Sequence, residues 1–151
     1  MKRPWIFAVD GVIVAAILID IVLSGMTWVA PQMWFETLHG ATGDQSAFYP
    51  FLRRCGAHWA AFAIFQIVAL VRWRRGLHWL LLVAGMRMSD LFTDLTYLIE
   101  SRTLASGSAY AGLILPFFLN LGMAVLLVLA WKEALRAQGL KPPSLEQAPA
   151  P

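Results

Sequence analysis

The sequence predicts an all-α fold, a four-transmembrane-helix antiparallel bundle with both the N and C termini cytoplasmic. Three observations carry that reading. Of 151 residues, 59% are apolar and only 14% charged, with seven Trp and a mean hydropathy of +0.63, far from the balance of a water-soluble domain. Four nearly uncharged runs, 5–29, 55–71, 77–99 and 109–131, are long enough to cross about 30 Å of hydrocarbon. Finally, Lys2, Arg3, Arg72, Arg74, Arg75, Lys132, Arg136 and Lys141 fall on one side of such a bundle, and only Arg53, Arg54 and Arg102 on the other. Cationic loops resist translocation, so the richer side is the cytoplasmic one, and the chain reads as a multi-pass membrane protein.

The first run is too long for a signal-peptide core and has no small-residue cleavage site before Pro31, so it reads as a retained span. The outer loop 31–54 opens with Pro31, which suits the first turn of a short helix whose Trp34 and Phe35 would face lipid. The rest would lie at the interface, either as an aromatic anchor or as a lid. Only RWRRG separates the second and third runs, and about nine residues separate the third and fourth, so consecutive spans should be tight antiparallel neighbours. The fourth run has no charge, a break at Pro116, and small residues over 106–112 that would allow close helix contact. Residues 1–136 thus form the membrane domain, and the Pro-rich, polar segment 137–151 reads as a disordered cytoplasmic tail. Trp28, Trp34, Trp59, Trp73, Trp79 and Trp131 read as lipid-facing belt residues.

Composition also excludes chemistry. A single cysteine, Cys55, cannot form an intrachain disulfide or a CxxC exchanger. His39, His58 and His78 lie at unmatched depths, against a bis-histidine haem, and no metal set, H-E-x-x-H, Gly-rich phosphate loop or G-x-S-x-G occurs. The basic residues sit at span ends, where anionic lipid heads account for them without nucleic acid.

The third run holds the informative residues. In GMRMSDLFTDLTYLIE, Arg87, Asp90, Asp94 and Tyr97 recur at steps of three and four and share one helical stripe. Each charge exposed to lipid at mid-depth costs at least about 2.5 kcal/mol, so the stripe must face the bundle. Asp20 of the first run lies at the depth of Arg87 and is its first-choice partner for a buried salt bridge. Arg54 and His58 of the second run could meet Asp94 or Asp90, with Gln66 deeper and Asn120 on the fourth run. Asp10 is read as paired with nearby basic heads instead. The candidate site is therefore Asp20, Arg54, His58, Arg87, Asp90, Asp94 and Tyr97, with no assigned catalytic residue. Three roles are open: a polar staple between helices, an outward-opening cavity for a small polar or amphipathic ligand, or an acid pair acting on a lipid-like substrate.

The Pro that opens the first loop, RRCGAHWAA at the start of the second run, and GMRMSD in the third together resemble the DoxX-like group of small four-helix membrane proteins. Arg54 with Gly56, and Arg87 with Asp90, are the positions that match, while the long aromatic first loop departs from the pattern. The resemblance implies an inner-membrane bundle whose relatives include accessory subunits of quinone-reducing enzymes. A fainter similarity, to the emopamil-binding and sigma-2-receptor-like four-span fold, implies acids set in a membrane cavity for sterol-like cationic ligands, with Arg87 arguing against a strongly cation-binding pocket. The expected function is an accessory or ligand-binding membrane subunit of a larger, quinone-linked complex rather than a self-sufficient redox enzyme. The alternative is a stand-alone binder or isomerase-like enzyme for a lipid or sterol-like ligand. Expected partners are the bilayer, a larger membrane complex or a homo-oligomer. No cofactor is required, and quinone or lipid are the ligands the setting allows.

Overall fold

The structure, a computed structural model, describes residues 4–41, 43–101 and 108–139. Those residues are helical almost throughout: α1 (Pro4–Val29), α2 (Pro31–His39), a 3-10 turn (Ser46–Phe48), α3 (Tyr49–Arg72), α4 (His78–Ser101) and α5 (Ser108–Ala137). The tail beyond Gly139, the charges at Lys2, Arg3, Arg102 and Lys141, and part of the small-residue stretch 106–112 lie outside the described residues.

Local chemistry sets the breaks. Pro31 keeps Ala30 out of the helical region (φ −138°, ψ 58°), which ends α1, and then serves as the first residue of α2. α2 stops at Gly40, whose φ of 60° is left-handed, and the next amide, Ala41 N–H, donates to Phe35 O at 3.1 Å. The Asp44 carboxylate accepts from the Ser46 amide (2.9 Å) and hydroxyl (3.0 Å), which nucleates the 3-10 turn and holds that carboxyl below its usual range. α3 starts at Tyr49, six residues before the apolar run at 55, because Pro50 suits a first turn and Arg53 and Arg54 are good helix formers. Hydropathy marks where lipid begins, not where the helix does.

Three segments are long and apolar enough to cross a membrane: Trp5–Val29, Ser46–Arg72 and Ile114–Ala137. Their exposed side chains include Phe7, Leu18, Val22, Ile64, Phe65, Leu115, Phe118 and Leu129, while Asp20, Thr27, Gln66, Arg87 and Asn120 are buried. Apolar groups outside and polar groups inside is the pattern of a membrane protein.

α1 packs chiefly on α3 and α4 chiefly on α5. The first pair runs antiparallel, since Asp10, Asp20 and Thr27 meet Trp73, Gln66 and Gly56 in turn. α3 and α4, despite a five-residue connection, share a smaller interface, so the short link does not select the closest neighbours. At the end of the bundle that holds this link the core is apolar: Val9, Ile13, Ile17, Ala69, Trp73, Leu80, Val83, Ala84 and Leu127. Trp73 is only 2% exposed and donates its indole N–H to Asp10 Oδ1 at 2.9 Å, and Arg74 pairs with the same carboxylate. Trp34 is also buried, at 7%, against Trp59 (5.1 Å between rings). The lipid-facing expectation fails for both, because each indole has an inward partner. Trp28 does remain exposed, at 54%, with Arg53 over its ring.

At the other end α1 and α3 approach through a glycine. A Cβ on Gly56 would overlap Thr27 Oγ1 and lie 3.2 Å from Trp28 Nε1, whereas one on Gly25 meets nothing within 4 Å. Gly56→Ala is therefore expected to cost about 1–3 kcal/mol, as overpacking of a tight contact does. Gly25→Ala should be near neutral, and thermal melting of the two purified variants in one detergent checks the contrast.

Candidate functional site

The buried stripe of α1 runs through Ile13, Ala16, Ile17, Asp20, Ser24 and Thr27, steps of three and four that bring Asp20 to mid-bundle. There it meets Arg87 of α4. Arg87 NH2 donates to Asp20 Oδ2 at 2.6 Å and NH1 to Oδ1 at 3.1 Å, a two-point ion pair with the residues 2% and 0% exposed. α3 adds Gln66, whose Nε2 donates to Asp20 Oδ2 at 2.6 Å, and Phe62, whose ring lies 5.8 Å from the guanidinium carbon. α5 adds Asn120, whose Oδ1 accepts from Arg87 NH1 at 3.4 Å and whose Nδ2 donates to Asp94 Oδ2 at 2.8 Å. Asp90, one turn along α4, pairs with Arg87 NH2 at 3.2 Å. All four long helices thus meet at one guanidinium. Gln66 Oε1 and Arg87 Nε are buried polar atoms without a partner among the described residues.

Four of the seven sequence candidates, Asp20, Arg87, Asp90 and Asp94, are in this network. Arg54 and His58 are not: both are exposed, and neither pairs with Asp90 or Asp94. The inward face of α3 is set by Leu52, Gly56, Ala63 and Gln66, and a residue two positions from Leu52 or Gly56 is turned about 200° away. Tyr97 is also outside the cluster, at the exposed end of its stripe, where its hydroxyl shares a 2.9 Å hydrogen bond with His39 Nδ1. Gln66 and Asn120, polar residues in apolar runs, complete the network. Phe62 carries no polar signal in the sequence.

The network ends at a cavity. Beneath α2, about 410 Å³ of space is walled by Trp34, Phe35, His39, Trp59 and Tyr97, with Cys55 and Pro116 also at its lining and Asp94 as its acid. Asp94 Oδ2 is held by Asn120, and its other oxygen has no hydrogen bond among the described residues. α2 covers the cavity through the Trp34–Trp59 contact and the His39–Tyr97 bond, with the Tyr49 hydroxyl donating to Gln32 Oε1 at 3.1 Å. Among the described residues no group of His, Cys, Asp and Glu could hold a metal ion.

Comparison of the chain with protein-family models, with curated proteins and with solved structures returned no match.

Removing either partner of the central pair strands the other charge in an apolar interior. Asp20→Asn and Arg87→Gln should each lose about 3–5 kcal/mol, with the double variant losing less than their sum. Gln66→Leu should be milder, because one of its two polar atoms is already unpaired. Denaturant titration in mixed micelles measures all four. A second expectation concerns pH. Burial lowers the His39 pKa below its ordinary 6.5, so the undocked state binds its proton first and α2 docking weakens as pH falls from 6.5 through the lowered value. Amide exchange across 31–39, corrected for its intrinsic pH dependence, should accelerate on acidification, and His39→Gln should flatten the response.

Proposed function

We propose that this chain is a four-span inner-membrane protein, both termini cytoplasmic, that binds an amphipathic molecule of lipid or sterol size beneath α2. α4 enters as the fourth span on two grounds. Its 24 residues rise about 36 Å, enough to cross, and its central charge is compensated internally. Its outward side chains include the apolar Leu81, Leu82, Phe92 and Ile99.

One observation carries the binding reading: a cavity lined by aromatic and aliphatic side chains holds, among the described residues, a single carboxylate, Asp94, with an oxygen to spare. Such a lining suits an apolar body with one donor head, a hydroxyl or an ammonium. The Arg87 network is the scaffold beneath it. Both terminal nitrogens of Arg87 are engaged by Asp20, Asp90 and Asn120 and the group is enclosed, so it fixes Asn120, and Asn120 fixes Asp94. The guanidinium is thereby spent on internal partners, which removes its objection to a cationic head at Asp94.

Cys55, exposed and at the cavity lining, is a built-in reporter. In detergent, a long-chain alcohol or amine should slow its alkylation about tenfold, and the fatty acid of equal length much less. Asp94→Asn should erase that head-group preference while the melting temperature stays near wild type. Equal protection by all three amphiphiles, or an unchanged preference in Asp94→Asn, overturns the reading.

A further inference from the structure

The three arginines of the α3–α4 connection do not share one role. Arg74 is committed: it pairs with Asp10 and its guanidinium carbon lies 4.9 Å from the Trp73 ring centre. Arg72 and Arg75 are exposed and form no ion pair among the described residues. The turn in which the Arg75 and Gly76 amides both donate to Arg72 O (2.9 and 3.1 Å) sets those two side chains three positions apart around one hollow. It measures about 430 Å³ and is lined by Val71, Arg72, Arg75, Gly76, His78 and Trp79, with no acid among them.

Glycine shapes the hollow. A Cβ on Gly76 would lie 2.6 Å from His78 Cε1 and 3.0 Å from Nδ1, so the imidazole folds onto bare backbone and forms a wall, with Trp79 5.4 Å behind it. His78 is also the first residue of the 24-residue α4, whose dipole favours an anion at that end. From these groups we infer that the α3–α4 turn binds the phosphate of an anionic phospholipid, held between Arg72 and Arg75 and bordered by His78.

The shared chemistry is a phosphate oxyanion, and the helix surface beside it selects a lipid over free phosphate. Val71, at the lip, continues through Ile67 and Ile64, an exposed apolar row at steps of four and three along α3 where an acyl chain can lie. The inference rests on the four-span reading, which places this turn at the cytoplasmic leaflet, where anionic lipids concentrate. It does not involve the cavity beneath α2.

The test reconstitutes the full chain in nanodiscs of phosphatidylcholine with and without phosphatidylglycerol, extracts it in mild detergent and counts retained lipid by native mass spectrometry. Wild type should keep phosphatidylglycerol over phosphatidylcholine, as should Arg53→Gln/Arg54→Gln at the opposite end. Arg72→Gln/Arg75→Gln should lose at least about tenfold of that retention, and Gly76→Ala, which displaces His78, should lower it. Arg75→Gln alone replaces the pair if the double variant melts early. Equal retention of the two lipids, or no loss in the variants, overturns the inference. Inorganic phosphate that competes at the same concentration as phosphatidylglycerol overturns the lipid assignment. Release of the protein from membranes by alkaline carbonate without detergent would instead sink the membrane reading on which both proposals stand.

Discussion

The ion pair between Asp20 and Arg87 is the constraint on which the rest of this bundle depends. A guanidinium enclosed among apolar helices is tolerable only if nearly every donor is used, and Arg87 spends four contacts to do so, on Asp20, Asp90 and Asn120. Hydrophobic burial cannot sort helices whose surroundings are as apolar as their cores, so register falls to polar contacts and close approach. Here the polar contacts lie at mid-bundle, and close approach at Gly56 and Thr27. Between them they lock α1 to α3 and α4 to α5 at matching depth.

That lock divides the molecule into chemically unlike ends. Toward the α3–α4 turn the interior is aliphatic and closes on Trp73, whose indole is tied to Asp10. Toward α2 the helices leave room, and the space is lined by aromatic side chains of the covering helix, α3 and α4 and by one acid. The acid is positioned by relay: Asp20 orients Arg87, Arg87 orients Asn120, and Asn120 donates to Asp94. A scaffold of this kind lets a carboxylate stand at an apolar cavity in one orientation, which a ligand-binding role requires. Arg72 and Arg75 border a hollow at one end, and the cavity with Asp94 lies at the other.

The α2 cover shows how a loop becomes part of a site. It is closed by ring contacts and two hydrogen bonds rather than by a deep core, so its docking free energy is small and open to local chemistry such as the His39–Tyr97 bond. Pro31 and Gly40 bound it so sharply that its position follows from two residues' backbone preferences.

Membrane class and helical content, the short helix opened by Pro31, and the pairing of Asp20 with Arg87 were all legible in the sequence. Apolar runs of spanning length have few other uses, and a charge in lipid must find a partner at its own depth. Depth is countable at 1.5 Å per residue, but rotation is not. Which face of α3 points inward was decided by the glycine contact at Gly56 and by Gln66, and this put Arg54 and His58 outside and Phe62 inside. Likewise, indoles at 34 and 73 resemble any belt residue until folding supplies Trp59 and Asp10 as partners. One chain's hydropathy can say how deep a residue lies. Only the packed helices can say what it faces, because facing is a relation between segments far apart in the chain.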